Sequence, residues 1–85
     1  MRYYAGLDIS MKETAVCVVD EEEKIVHESI QVTDPEAIAK CLSRLDLNIV
    51  KVGLEVGSIT RWLTLKLRDL GVKAIPIDAR PALYP

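Results

Sequence analysis

Short apolar runs, separated by charged turns, predict three strands in the first 32 residues of this 85-residue chain. Residues 3–9 form one run, and residues 14–20, which are strongly β-branched, form a second. An acidic turn at residues 20–23 leads to a third run at residues 24–32. Because the connections are short, the three strands are expected to form an antiparallel meander.

The third run alternates imperfectly, and each set of alternate residues is expected on its own face of the strand. The apolar set is Val26, Ile30 and Val32, and the polar set is His27, Ser29 and Gln31.

After residue 32 the apolar spacing changes to that of a helix. Two starts fit the sequence: Thr33 and Glu36 as a capping box, or Asp34 as the cap with Pro35 at the first helical position. The predicted apolar face of this helix comprises Ile38, Cys41, Leu42 and Leu45.

A second strand-helix-strand unit follows in the remainder of the chain. Residues 49–54 predict a fourth strand that ends at Glu55, and Gly57 with Ser58, the expected N-cap, opens a second helix. Gly71 suits the position after the last helical turn, and residues 72–77 predict a fifth strand. The apolar face of the second helix, with the tryptophan expected in the core, is Ile59, Trp62, Leu63, Leu67 and Leu70.

The element order β-β-β-α-β-α-β predicts an α/β fold with a mixed five-stranded sheet of order 3-2-1-4-5. Right-handed crossovers would then place both helices on one face of the sheet. The other face is left without a helix, so we expect either self-association, with a homodimer through that face, or a missing covering segment. Pro81 and Pro85 make a regular element in the tail unexpected.

The charge balance excludes a strongly basic nucleic-acid-binding module, since 11 basic and 13 acidic residues give a net charge of −2. Arg61, Lys66 and Arg68 fall on the polar side of the second helix, where a solvated face is the expected interpretation and nucleic-acid contact the alternative. No run of about 20 apolar residues suggests a membrane span, so we expect a cytoplasmic chain with no membrane contact.

The cysteines and the histidine show no metal-binding pattern. Cys17 and Cys41 are expected to be small buried residues in a reducing compartment. His27 is expected to be exposed on the outer strand, with no ligand role.

Two carboxylates occupy strand ends that the proposed order makes adjacent. Asp8 lies near the end of the first strand and Glu55 at the end of the fourth, where ligand sites of open α/β sheets gather. A divalent cation, Mg²⁺ or Mn²⁺, would relieve their repulsion, whereas two solvated strand-end residues are the alternative. Ser10, Lys12 and Ser58 are candidates for phosphate or nucleic-acid contact, with a solvated turn and a helix cap as the alternatives.

Four motifs, which follow one another along the chain, resemble those of a known protein family. They are Gly-Leu-Asp-Ile-Ser at 6–10 with Lys12, Gly-Leu-Glu-Val-Gly-Ser at 53–58, Trp-Leu at 62–63 with Leu67 and Gly71, and Ile-Asp-Ala-Arg at 77–80. Together they resemble the N-terminal domain of DEDD-type insertion-sequence transposases, which are related to the Piv DNA recombinases and have a RuvC-like, ribonuclease-H-like fold. The resemblance extends from Tyr4 to Ala82.

The resemblance implies that Asp8 and Glu55 are catalytic residues that bind Mg²⁺ for DNA strand cleavage and joining, with DNA and a guide RNA as partners. The family's other two aspartates lie in a Lys-Thr-Asp-x-x-Asp-like helix after the fifth strand, and Asp78 does not match them. Residues 1–85 are therefore expected to be the N-terminal part of such a domain, incomplete at the C-terminus and inactive alone.

Two alternatives remain open. The Gly-Leu-Asp-Ile-Ser stretch is also similar to the first phosphate loop of actin-like sugar kinases and ATPases, with Ser10 and Lys12 near phosphate. The second alternative is a transposase remnant that is not an enzyme and persists as a small dimerising protein.

Overall fold

The chain folds as seven elements in the predicted order. The computed structural model describes residues 1–55 and 57–77, so the expectations for Asp78, Pro81 and Pro85 lie outside the described residues. The elements are β1 (Tyr3–Ile9), β2 (Glu13–Val19), β3 (Ile25–Val32), α1 (Pro35–Arg44), β4 (Ile49–Glu55), α2 (Thr60–Asp69) and β5 (Ala74–Ile77).

The strands form one mixed five-stranded sheet of order β3-β2-β1-β4-β5, as predicted. β1 and β3 each run antiparallel to β2, whereas β4 lies parallel to both β1 and β5. Since α1 and α2 contact each other and share one core with the sheet, both helices cover the same face. The buried apolar residues of that core are Ala5, Leu7, Val16, Val18, Ile38, Leu42, Val52, Leu54, Leu63, Leu67 and Ala74.

The opposite side of the sheet, called here the outer face, has no helix over it among the described residues. The alternation of side chains in β1 and β4 turns Gly6, Asp8, Gly53 and Glu55 toward it, because their neighbours in sequence belong to the core. In β2 and β3 the outer-face residues include Ala15, Cys17, Val19, Ile25, Glu28, Ile30 and Val32.

The two side-chain sets of β3 lie on opposite faces as predicted, with the polar set toward the helices. His27 and Ser29 pair with the buried Val18 and Val16 of β2, which fixes the face that they occupy. Ile30 and Val32 consequently point outward and are 65% and 67% exposed. An edge strand thus presents its apolar side chains away from the core, which favours a covering partner.

The start of α1 matches one of the two N-caps that the sequence allows. Asp34 is the N-cap, and one of its carboxylate oxygens accepts a hydrogen bond from the backbone N–H of Ala37 at 3.0 Å. Pro35 occupies the first helical position, where its missing N–H costs nothing. Thr33 is therefore not the N-cap, and its hydroxyl forms other hydrogen bonds, described below.

The buried stripe of α2 is rotated from the predicted one. Thr60 and Thr64 are buried beside Leu63 and Leu67, whereas Trp62 and Leu70 are each 47% exposed. The prediction that the tryptophan belongs to the core was therefore wrong. The ring instead borders a shallow cleft against the start of α1.

The ends of α2 differ in how well they were predicted. Ile59, not Ser58, is the N-cap, and it makes no side-chain capping bond, so the Ser58 cap was wrong. Gly71 follows the helix with a φ of +87°, a left-handed conformation that a residue without Cβ adopts without strain, as expected. Neither described helix has the length and apolar character that a bilayer crossing requires.

Candidate functional site

The register of the central parallel strands brings Asp8 and Glu55 together. Leu7 of β1 pairs with Leu54 of β4, and both leucines are buried in the core. Asp8 and Glu55 are the next residues in their strands, so their side chains leave the sheet on the outer face at adjoining positions. Both residues are exposed, and within the described part of the chain neither carboxylate has a hydrogen bond or an ion pair.

The position of Glu55 is held by the helix that follows it. The hydroxyl of Thr60, which is only 4% exposed, donates a hydrogen bond of 2.6 Å to the backbone carbonyl of Glu55. This bond joins the end of β4 to the first turn of α2. The backbone at Glu55 is also paired with Ile77 of β5, so it is restrained from two sides.

The turn after Asp8 is held by a chain of hydroxyl groups. Thr33 donates to the backbone carbonyl of Ser10 at 2.7 Å, and its oxygen lies 2.8 Å from the hydroxyl of Thr14. The backbone N–H of Thr33 also donates to the carbonyl of Lys12 at 2.9 Å. Thr33, which precedes the N-cap of α1, therefore fixes the turn between β1 and β2.

Two of the three predicted phosphate-contact residues lie beside Glu55, and one does not. Ser10 and Ser58 line a small cleft of about 120 Å³ together with Glu55. The Ser10 hydroxyl donates to the carbonyl of Glu13 at 2.6 Å, so its hydrogen closes the turn. Lys12 is exposed and is not among the residues that line this cleft.

The carboxylate pair fits part of a metal site. Carboxylate oxygens are the ligands that Mg²⁺ and Mn²⁺ prefer, and two exposed carboxylates on one face could bind one ion. Among residues 1–55 and 57–77, no group of three or more His, Cys, Asp or Glu side chains is arranged to hold a metal. An ion bound to Asp8 and Glu55 would take its other ligands from water, from phosphate or from further carboxylates.

Two paired glycines lie next to the carboxylates, and the sheet is open above one of them. Gly6 and Gly53 are paired across β1 and β4, one step before Leu7 and Leu54. A Cβ added at Gly6 would have no heavy atom within 4 Å, so the space above it is empty. At Gly53 an added Cβ would lie 3.0 Å from Cδ1 of Ile77. Glycine inside a strand often marks the close approach of a ligand or of another backbone.

A polar cluster between β3 and α1 was not predicted. Nε2 of His27 lies 2.8 Å from the hydroxyl of Ser29 and 3.8 Å from Sγ of Cys41, and Gln31 donates to the same hydroxyl at 3.0 Å. His27 is therefore half-buried and not exposed as expected. Cys41 and Cys17 are likewise half-buried, so both cysteines are less buried than expected.

The architecture defines the class of fold to which the chain belongs. A mixed five-stranded sheet of order 3-2-1-4-5 with helices on one face is the ribonuclease-H-like or actin-like ATPase fold, and solved structures of both kinds are similar to it. No protein-family model matches the sequence. No curated protein is significantly similar to it in sequence.

Three solved structures illustrate the likeness. RuvC of T. thermophilus, in complex with a Holliday junction substrate, has a TM-score of 0.62 at 15% identity, over 93% of this chain and 66% of its own. A ROK family glucokinase from Streptomyces griseus, in complex with glucose and AMPPNP, has a TM-score of 0.60 at 20% identity, over 89% and 33%. YeaZ from Pseudomonas aeruginosa has a TM-score of 0.54 at 10% identity, over 92% and 44%.

These likenesses establish the fold and not the activity. The chain spans about a third of the glucokinase and just under two thirds of RuvC.

Proposed function

We propose that this chain is the N-terminal portion of the catalytic domain of a DEDD-type transposase or related DNA recombinase. Asp8 and Glu55 would supply half of a divalent-metal site for DNA strand cleavage and joining. The observation that carries the proposal is their adjoining position on the outer face, at the carboxyl ends of two parallel strands. The similarity of the fold to RuvC and the four sequence motifs support the same assignment.

In this proposal the chain's own residues bind and orient. Asp8 and Glu55 hold the ion, while Thr60 and Thr33 fix the backbone beside each carboxylate through the bonds described above. An ion held by Asp8 and Glu55 would supply activation of an attacking oxygen and stabilisation of a leaving one in phosphodiester chemistry. The remaining carboxylates, the DNA target and a guide RNA belong to the intact enzyme, and the 85-residue chain is proposed to be inactive alone.

The metal part is tested by adding Mn²⁺ to the isotope-labelled chain and recording paramagnetic broadening of its amide signals. We expect broadening centred on Asp8 and Glu55, and its loss in Asp8→Asn and Glu55→Gln. The control is Glu28→Gln, which removes another exposed carboxylate from the outer face and should leave the broadening unchanged. Broadening that survives both site variants, or that disappears equally in the control, would refute the metal site.

The transposase part is tested by reading the source DNA beyond codon 85 in all three forward frames. A Lys-Thr-Asp-x-x-Asp-like helix in frame is expected for a working enzyme, and the same motif out of frame for a decayed gene. Absence of the motif from every frame would count against the transposase assignment, whatever the metal experiment gives.

A kinase-like or ATPase function is the second candidate, and the fold likeness to the glucokinase favours it. It would use the turn at Ser10 and Lys12 near phosphate. The Ser10 hydroxyl is already bonded within its own turn, which argues against a free phosphate ligand there. Saturable ATP binding that is weakened by Lys12→Gln and not by Glu28→Gln would favour this candidate over the recombinase.

Self-association through the outer face is proposed for the 85-residue chain by itself, including the case of a non-enzymatic remnant. Cys17 lies in the middle of that face, paired with Gly6, whereas Cys41 lies on the helix side of the sheet. Mild oxidation of a face-to-face dimer should therefore crosslink the Cys41→Ser variant, which keeps Cys17. It should not crosslink the Cys17→Ser variant, which keeps only Cys41. Crosslinking that requires Cys41, or a monomer at all concentrations in light scattering, would contradict this arrangement.

A further inference from the structure

A second cleft lies between α2 and β5, and neither Asp8 nor Glu55 lines it. It is open to solvent and encloses about 390 Å³. The residues that matter for its chemistry are Thr60, Thr64, Arg61, Arg68, Leu65 and Pro76.

The hydroxyl of Thr64 is the first sign that this cleft takes a ligand. Thr64 is 3% exposed, and its Oγ1 has no hydrogen-bond partner among the described residues. Thr60, one turn earlier on the same stripe, is equally buried but is satisfied by the carbonyl of Glu55. A buried polar group without a partner costs free energy, and Thr64 is one of the residues that line the cleft, so a ligand that enters the cleft and reaches this hydroxyl would complete its bonding.

Two guanidinium groups give the cleft its charge. Nε of Arg68 donates to the backbone carbonyl of Ala74 at 2.8 Å, which anchors the side chain to β5 and leaves its terminal nitrogens available. Arg61 is exposed, and in the described part of the chain neither arginine forms an ion pair; the ion pair found there joins Arg2 to Glu21. Arginine suits phosphate because its planar fork donates two parallel hydrogen bonds to an oxyanion.

We infer that this cleft binds a phosphate ester. Its phosphate would lie between Arg61, Arg68 and Thr64, and its organic part would lie against Leu65 and Pro76. The cavity is larger than a lone phosphate needs and falls within the range of small-molecule sites. A mononucleotide and one unit of a nucleic-acid backbone share this chemistry. The inference stands independently of the proposed metal site, because neither Asp8 nor Glu55 lines this cleft.

The test is isothermal titration of the full chain with inorganic phosphate, thymidine 5′-monophosphate and a short oligothymidylate. We expect binding of the esters to weaken about tenfold in Arg61→Gln and in Thr64→Val, the change expected for loss of one hydrogen bond to a charged group. The matched control is Lys66→Gln, which removes a positive charge from the same helix. Lys66 does not line this cleft; it lines the separate cleft beside Trp62. Binding by the control variant should equal that of the unaltered chain.

The outcomes separate the sources of the phosphate and the two proposals. Tighter binding of the oligothymidylate than of the mononucleotide assigns the cleft to a nucleic-acid backbone, and the reverse assigns it to a free nucleotide. Asp8→Asn should bind the esters normally even if the metal site is abolished. Lack of binding by every probe, or equal weakening in Lys66→Gln, would overturn the inference.

Thr64→Val also needs to fold for its result to count. Since it replaces an unpartnered buried hydroxyl by a methyl group, its melting temperature should not fall below that of the unaltered chain. A clear fall would show that the hydroxyl has a structural partner, which also overturns the inference.

Discussion

The hydroxyl chain that links Thr14, Thr33 and Ser10 gives a sharp stability prediction. Thr33 has one hydroxyl hydrogen, and the carbonyl of Ser10 at 2.7 Å can only accept it. In the 2.8 Å pair, therefore, Thr14 must donate to Thr33. Thr14 is completely buried, and this is the only hydrogen bond of its hydroxyl among the described residues.

The two single substitutions are consequently unequal. Thr33→Val leaves the Thr14 hydroxyl buried without a partner, which should lower the free energy of unfolding by about 1–3 kcal/mol. Thr14→Val removes the donor itself, and Thr33 keeps its bond to Ser10, so the cost should stay below about 1 kcal/mol. The double variant should be more stable than the sum of the single effects predicts, because it leaves no orphaned donor.

Urea unfolding followed by far-UV circular dichroism measures these differences. For a domain of this size, each kcal/mol also corresponds to roughly 4–8 °C in melting temperature. A Thr14→Val variant that is as destabilised as Thr33→Val, or a double variant that shows simple additivity, would refute the assigned direction of the hydrogen bonds.

Two further predictions concern local features of the fold. Gly6→Ala should raise the unfolding free energy of the dilute chain by about 0.5–1 kcal/mol, because the added Cβ meets no heavy atom and glycine in a strand is entropically unfavourable. If thermal unfolding shows that this variant is destabilised, the space above Gly6 is not open. Asp34→Ala should lower the unfolding free energy by about 1 kcal/mol through loss of the bond to the Ala37 N–H, and Asp34→Asn should retain most of it.

The topology could be predicted from sequence because the spacing of apolar residues changes sharply between strands and helices. The positions of Asp8 and Glu55 followed from that topology, since both residues come at the ends of strands that the predicted strand order places side by side and parallel. The predicted order of the strands was enough to place the two carboxylates side by side, and the identities of the side chains added little to that prediction.

The errors have a common physical origin. Alternation in β3 predicted two faces but not which face meets the helices, so the cluster around His27 was missed. In α2 the buried stripe includes Thr60 and Thr64, which an apolar pattern does not detect. Thr60 is accommodated because a backbone carbonyl accepts its hydrogen bond, and that partner exists only in the tertiary structure.

The parallel pairing of β1 with β4 has a consequence for the order of folding. Everything from β2 to α1 lies between these strands in sequence, so Asp8 and Glu55 meet only after a large loop has closed. The meander β1-β2-β3, which has local contacts, can form earlier, but it contains only one of the two carboxylates. The proposed metal site therefore could not form in a chain in which β1 and β4 are still unpaired, and ligation at Asp8 and Glu55 would report that this pairing has closed.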